Sequence, residues 1–93
     1  MVIGVLELDL FIPEANSLKT KRQALKGLKD KIRRKFNVSV AETDNLDKWQ
    51  RQTLAVACIN SDRRFLNSVL SKIVDLVETH RSVELLKHTI EMC

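Results

Sequence analysis

Five cations in one predicted helix are the residues whose spacing most clearly indicates a binding chemistry. Lysine or arginine recurs at intervals of three, four, three and four positions, at Lys19, Arg22, Lys26, Lys29 and Arg33. These intervals place all five on one flank of a helix, in a stripe about 21 Å long. Because like charges at this spacing repel one another, the stripe is typical of a surface that meets an anionic partner, such as the phosphate backbone of RNA.

The net charge of the chain is concentrated in the same segment. Residues 18–36 contain nine lysines and arginines and a single acid, Asp30, so the segment carries +8. The whole chain carries +4, which leaves −4 on all the other residues together. We expect the stripe to bind RNA or a ribosomal particle. An ordinary solvated helix face, with lysine side chains extending over the sheet, is the alternative.

Glu7 and Asp9 come closest to an enzyme-like pair. Residues two apart on a strand point to the same face, and two adjacent carboxylates suit a divalent cation or general acid–base catalysis. No third ligand can be identified by spacing, so we favour an ordinary exposed strand face or an ion pair between subunits, with a metal-dependent hydrolase as the alternative. We therefore expect no catalytic residues, no metal site and no cofactor.

The remaining candidates for chemistry have simpler explanations. His80 and His88 have no cysteine or serine partner by spacing, and Cys58 lies in an apolar run typical of a buried strand. Trp49, the only tryptophan, follows a polar segment. We favour a packing role for this side chain, and an exposed interface residue is the alternative.

The elements that must position these residues follow from the period of the apolar side chains. Strands are predicted at 2–12, 37–43, 53–59 and 83–92. Helical spacing predicts one helix over 18–35, with Ser17 as its N-cap, and a second whose apolar face includes Phe65 and ends near Val77. Each helix has one apolar face, so both can cover the same side of a sheet.

The resulting order, β-α-β-β-α-β, predicts an α+β protein of ferredoxin-like architecture. Right-handed crossovers give a four-stranded antiparallel sheet with strand order 4-1-3-2 and two helices on one face. At 93 residues the chain is long enough for a single domain, residues 1–93.

The face of the sheet that the helices leave open supports a second hypothesis. RNA-recognition-motif domains stack bases on aromatic residues of this face, but here the third strand has none and the first carries Glu7 and Asp9. Contact with RNA should therefore use the first helix. The open face instead suggests, as the alternative function, a homo-oligomeric ligand-binding or regulatory module, in the simplest case a homodimer. Its expected interface residues are Val5, Phe11, Ala55, Ala57 and Ile59.

Composition excludes several classes of protein. Two glycines and one proline, with 30% charged and 44% hydrophobic residues, do not fit a disordered or low-complexity chain. The longest apolar runs are far shorter than the roughly 18 residues of a membrane span, so we expect no membrane partner. Two cysteines form no disulfide framework, and acids interrupt the apolar start. We therefore expect a cytoplasmic protein with free thiols.

Several segments together resemble the YlxP-like family of small conserved bacterial proteins. They are Val2–Leu6, Pro13–Ala15, Ser17–Lys19, Lys21–Arg22, Phe36–Glu42 and Trp49–Arg51. The resemblance spans about residues 2–91 and implies a ferredoxin-like fold in a bacterial, cytoplasmic setting. It implies little chemistry, since the function of the family is unknown. Genes of the family often lie near those for translation initiation and ribosome maturation, which implies a role with RNA or the ribosome.

Two residues depart from the family's pattern. Thr20 stands where the family commonly has an acid that completes a capping box with Ser17. Asn45 replaces a frequent histidine in the loop before Trp49, which weakens any expectation of a catalytic or metal-binding histidine there. The resemblance therefore transfers no functional residues to this chain.

Overall fold

Six regular elements follow one another along residues 1–93, all of which the computed structural model describes. They are β1 (Val2–Phe11), α1 (Leu18–Lys35), β2 (Ser39–Asp44), β3 (Arg51–Asn60), α2 (Arg63–Glu78) and β4 (Glu84–Met92). The predicted order of strands and helices is confirmed. The boundaries of β2 and β3 each differ by about two residues from the prediction.

The four strands form one antiparallel sheet in the order β2-β3-β1-β4. This is the predicted ferredoxin-like order, and it places β1 in the centre, hydrogen-bonded to β3 on one side and to β4 on the other. In β1 the alternation predicted from the sequence holds, because Leu6, Leu8 and Leu10 are fully buried while Glu7 is exposed. A bulge in the pairing of β1 with β4 lies between Asp9 and Leu10.

Helix α1 begins at a capping box that the sequence did not lead us to expect. The Oγ of Ser17 accepts from the backbone N–H of Thr20 at 3.2 Å, and the Oγ1 of Thr20 accepts from the backbone N–H of Ser17 at 3.2 Å. The threonine hydroxyl thus accepts the hydrogen bond that the side chain of the acid would accept in the family pattern. The helix ends where Phe36 adopts an extended backbone conformation.

Both helices cover the same face of the sheet, and the core lies between them and the strands. Its fully buried members include Leu28 and Ile32 of α1 and Leu70 and Ile73 of α2. Phe65 is not among them: it was predicted on the apolar face of α2, but 54% of its surface is exposed. It lies in the first turn of α2 at the margin of the apolar face, next to Leu66, which is fully buried. Neither helix is long and apolar enough to cross a membrane.

Gly4 of β1 marks the closest approach of α2 to the sheet. A Cβ atom at this position would lie 2.9 Å from Cδ1 of Leu70 and 3.0 Å from the side chain of Leu66. Since carbon atoms in ordinary contact are about 3.5–4.0 Å apart, only glycine lets α2 pack at this distance. Gly27 of α1 is different, because a Cβ there would meet nothing within 4 Å.

Candidate nucleic-acid interface

The structure keeps the predicted basic stripe at the surface of α1. The face of α1 that packs on the sheet carries Leu25, Leu28 and Ile32. The stripe lies on the neighbouring flank, at Lys19, Arg22, Lys26, Lys29 and Arg33. Four of its members are exposed, and Lys29 is partly buried. The spacing of these cations therefore predicted their shared flank, but their surroundings differ along the helix.

The C-terminal half of the stripe contacts the edge strand β2. Nζ of Lys29 lies 2.6 Å from Oε2 of Glu42, in a partly buried ion pair. The guanidinium of Arg33 donates to the carbonyl oxygen of Val40 at 3.1 Å. The first contact neutralises a charge of the stripe, whereas the second leaves the charge of Arg33 uncompensated.

In the middle of the stripe, Lys26 pairs with the one acid of the helix. Its Nζ lies 2.9 Å from Oδ2 of Asp30, one turn further along α1. The hydrogen bond from Lys26 lowers the pKa of Asp30, and the charges of Arg33 and Arg34 add to the effect. The pair is solvent-exposed, so an anionic ligand can compete for Lys26 at little cost. Lys19 and Arg22, in the first turns, form no salt bridge.

Lys21 is a cation of α1 that lies outside the predicted stripe and for which no role was predicted. Only 2% of its surface is exposed. Its Nζ donates to the carbonyl oxygens of Lys48 at 2.6 Å and of Asn45 at 2.8 Å. Burial lowers the pKa of Lys21, an effect that the nearby carboxylates of Glu42 and Asp47 oppose. Lys21 is thus an internal anchor rather than part of a binding surface.

The anchored segment is the connection between β2 and β3, residues 45–50. Asn45 opens it in the left-handed backbone region, with φ of 59°, a conformation that asparagine tolerates well. The buried amide of Gln52 donates to the carbonyl of Asp44 at 2.9 Å. At the other end, the carbonyl of Gln50 accepts from the backbone N–H of Ile12 at 2.9 Å. Contacts from α1, β3 and the end of β1 therefore hold this loop.

Trp49 lies in this loop and is half exposed, with 52% of its surface open to solvent. Its neighbours in sequence, Lys48 and Gln50, both have their carbonyl groups held by hydrogen bonds. Leu46, in the same loop, is also exposed. The packing role that we favoured for Trp49 is therefore wrong, and the alternative, an exposed side chain available to a partner, fits the structure.

Asp9 has a structural partner on the open sheet face. Its Oδ1 accepts from Oγ1 of Thr53 at 3.0 Å, and the same hydroxyl accepts from Nδ2 of Asn45 at 3.0 Å. Nζ of Lys87 lies 3.8 Å from Oδ2 of Asp9. No group of three or more histidine, cysteine, aspartate or glutamate side chains is arranged to hold a metal ion. Glu7 and Asp9 are therefore not joined by the further ligands that a metal-dependent hydrolase would need.

The predicted oligomer interface divides into two parts. Val5 is the cross-strand partner of Ala57, and Ile59 lies next to them on β3 together with Ala55. Phe11 is six residues from Val5 along β1, about 20 Å away at the rise of a strand. Glu7 and Asp9 lie between them on the same face. Four of the five residues thus form one apolar area, and Phe11 stands apart beside its partner Arg51.

The fold and this site define a class: a small α+β protein of ferredoxin-like topology with one strongly basic helix and no recognisable catalytic constellation. The chain belongs to a family described as "Protein of unknown function (DUF503)", whose model matches residues 3–90. It is 32% identical, over 83 residues, to "Uncharacterized protein YlxP" of Bacillus subtilis (strain 168). That match covers 89% of this chain and 90% of the Bacillus protein. The YlxP-like resemblance is therefore confirmed.

Two solved structures have similar folds at low sequence identity. One is a C-terminal segment of the alpha subunit of aIF2 from Pyrococcus abyssi, with 17% identity and a TM-score of 0.49. The match covers 97% of this chain but only 48% of the archaeal segment, so this chain spans about half of its length. The other is a de novo designed protein with a ferredoxin fold, with 14% identity, a TM-score of 0.49 and coverage of 100% and 84% of the two chains.

Proposed function

We propose that this protein is a non-enzymatic accessory factor that binds RNA, free or within a ribosomal particle, through the exposed flank of α1. One observation carries the proposal: of the nine cations in α1, only Lys21 is buried. The surface that binds is the stripe of Lys19, Arg22, Lys26, Lys29 and Arg33.

The local balance of charge favours an anionic partner. Within the chain, Asp30 and Glu42 are the acids that form salt bridges with α1. They offset two of its surface cations and leave the rest without a fixed counter-charge. Mutual repulsion of like charges three and four residues apart costs a few tenths of a kcal/mol per pair. A phosphate backbone relieves this repulsion and releases its own condensed counterions on binding.

This mode of binding has a defined character. Contacts to phosphate position a protein on a nucleic acid but do not read its sequence. The open sheet face, where Glu7 and Asp9 lie, would repel the same backbone. We therefore expect binding that weakens steeply with salt, depends on α1 and distinguishes sequences weakly.

The test compares two triple variants with the same change in net charge. Lys19→Gln, Arg22→Gln and Lys26→Gln together remove the stripe's N-terminal half and leave the Lys29–Glu42 pair intact. Arg63→Gln, Arg64→Gln and Lys72→Gln together change three exposed cations of α2. Affinity for a mixed-sequence RNA is measured by fluorescence anisotropy over a range of salt concentrations.

We expect the α1 variant to lose at least about tenfold in affinity at low salt. Its log–log salt slope should become less steep by about 2 to 3, one unit for each phosphate contact removed. The α2 variant should bind within about twofold of the wild type, since its charges lie off the stripe. Wild-type protein with no affinity for RNA at low salt would refute the proposal, and so would equal losses in the two variants.

A homo-oligomeric module that uses the open sheet face is the second candidate. The observation in its favour is the apolar area around Val5, Ala57 and Ile59, where Ile59 is more than half exposed. Single exposed apolar residues are common on protein surfaces, but a contiguous group on an uncovered sheet is typical of an interface or ligand site.

A further inference from the structure

Residues 45–50, which the buried Lys21 holds in place and which we call the pinned loop, carry the exposed side chain of Trp49. Holding the loop in this way has a free-energy cost, the burial of a charged group. Transfer of the ammonium of Lys21 out of water is unfavourable, and the lowered pKa of this residue reflects that penalty. In return, the carbonyls of Asn45 and Lys48 are held at hydrogen-bonding distance. Lys48 immediately precedes Trp49, so the hydrogen bond from Lys21 to the carbonyl of Lys48 holds the peptide group that joins these two residues. The backbone on both sides of the tryptophan is thus fixed while its side chain stays exposed.

The pinned loop is held against the first turns of α1, which also carry the uncompensated part of the basic stripe. Lys19 and Arg22 share the first turns of α1 with Lys21, whose ammonium contacts the loop. Neither of them forms a salt bridge. Within and next to the loop, the acids Asp44 and Asp47 are balanced by Lys48 and Arg51. The surplus positive charge at this end of the molecule therefore comes from α1.

We propose that Trp49 is a stacking platform for an unpaired base, so that the RNA bound by this protein contains single-stranded nucleotides next to the phosphates held by Lys19 and Arg22. This inference rests on the proposed function and narrows its ligand to RNA with unpaired bases. An exposed aromatic face beside cations that track the backbone is the arrangement by which proteins bind single strands with little sequence preference. Because the backbone on both sides of Trp49 is already held, the loop loses little conformational freedom when a base stacks on the ring.

A protein partner is the other class of ligand that an exposed tryptophan can serve. The adjoining surface distinguishes the two. A tryptophan at the centre of a protein interface is normally surrounded by apolar neighbours that exclude water, whereas here only Leu46 is a large exposed apolar residue of the same loop. The residues on either side of Trp49 are polar or charged. The surroundings therefore fit a base flanked by phosphates better than a buried protein interface.

Because Trp49 is the only tryptophan, its intrinsic fluorescence reports on the proposed contact directly. The protein is titrated at low salt with a single-stranded oligouridylate and with a blunt RNA duplex of equal charge. Three variants accompany the wild type: Trp49→Ala, Trp49→Phe and Phe65→Ala. Phe65 is a matched control, since it is equally exposed and lies near the opposite end of β3. Circular dichroism and thermal melting verify that each variant is folded.

We expect the single strand to quench the fluorescence of Trp49 and to bind more tightly than the duplex. Trp49→Ala should lose roughly 5- to 150-fold in affinity for the single strand, the range that one base–aromatic stack supplies. Its affinity for the duplex should stay within about twofold of the wild type. Trp49→Phe should recover part of the loss, and Phe65→Ala should bind like the wild type.

The outcomes separate this inference from the proposed function. RNA binding by the wild type, with no quenching and with full affinity in Trp49→Ala, would overturn the role of Trp49 and leave the basic stripe as the binding surface. That result would favour a protein partner, rather than RNA, as the ligand of Trp49. A wild type that binds neither RNA would refute the proposed function, and the stacking platform with it.

Discussion

At the scale of single residues, Lys21 shows how the fold uses one cation of α1 internally. Its ammonium group reaches three carbonyl oxygens of the pinned loop, those of Asn45, Leu46 and Lys48. The carbonyl of Asn45 also accepts from the backbone N–H of Lys48 at 3.2 Å. The carbonyls of Leu46 and Lys48 have no strand partner, so a buried donor must satisfy them or water must reach them. A charged donor gives hydrogen bonds stronger than those between neutral groups. These hydrogen bonds offset part of the cost of burying the charge, although burial still lowers the pKa of Lys21.

Replacing Lys21 with methionine tests this role. The aliphatic part of the side chain is retained, but the carbonyls of Leu46 and Lys48 lose their charged donor, and that of Asn45 keeps only the backbone N–H of Lys48. We expect the free energy of unfolding to fall by about 1–3 kcal/mol, measured by urea denaturation. Lys19→Met is the control because Lys19 is exposed in the same turn, and it should change stability by no more than about 0.5 kcal/mol. Equal midpoints for the two variants would show that Lys21 does not hold the loop.

The sequence carried part of this information. Lys21 occupies the same helical face as Leu25, Leu28 and Ile32, four, seven and eleven positions on, so its burial could have been read from spacing. The carbonyl groups that accept hydrogen bonds from Lys21 could not have been predicted in this way. They lie 24 to 27 residues away in a loop whose conformation depends on Lys21 itself. The exposure of Trp49 follows from the same contacts, which is why the choice between packing and exposure went wrong.

At the scale of elements, the two glycines lie in opposite environments: Gly4 is closely packed and Gly27 faces open space. Gly4 allows α2 to pack closely on β1, where a Cβ would meet Leu66 and Leu70. Gly27 lies on the solvent side of α1 with open space around it. In a helix, glycine costs conformational entropy relative to alanine. The same substitution should therefore have opposite effects at these two positions.

Gly4→Ala and Gly27→Ala form a matched pair. We expect Gly4→Ala to lower the free energy of unfolding by about 1–3 kcal/mol, since α2 or its leucines must move to admit the methyl group. Gly27→Ala should raise it by about 0.5–1 kcal/mol. Both changes are measured by urea denaturation. A stable Gly4→Ala would mean that α2 can shift freely on the sheet, contrary to the distances at this position.

The elements themselves were largely predictable, because each carries a clear period. Alternating apolar residues indicated β1, and one apolar face per helix placed α1 and α2 on the same side of the sheet, from which the strand order follows. The first turn of α2 was the exception. Phe65 lies at the margin of the apolar face of α2, whereas the adjacent Leu66, near the centre of that face, is fully buried. Periodicity identifies a face of a helix but not how far around the helix the neighbouring elements cover it.

At the scale of the whole molecule, the protein is a monomer or a homo-oligomer according to whether a second copy covers the open sheet face. Its apolar area around Val5 and Ile59 lies apart from the basic stripe, which flanks the opposite layer. Stable dimers bury roughly 800 Å² on each partner. Glu7 and Asp9 border the area, so a dimer that covered the whole face would have to bring these acids together or pair them with cations.

Sedimentation velocity over a wide range of concentrations tests the second candidate function. If the open face is an interface, the wild type should sediment as a dimer, and Ile59→Lys should shift it to a monomer by burying an unpaired charge. Ser71→Lys, at an exposed position of α2 in the layer opposite the open face, is the control and should leave the dimer intact. A wild type that is monomeric at every concentration would exclude an oligomer that uses this face.

The central position of β1 also has a consequence for the order of folding. β1 is the first strand to be synthesised, yet its two neighbours are the third and fourth strands. Its pairing with β4 joins residues more than 70 positions apart, such as Leu10 with Leu85. Such distant pairings make folding slow compared with that of helical proteins of similar size. During translation, the edge of β1 that pairs with β4 therefore stays unpaired until β4, the last strand of the chain, has left the ribosome.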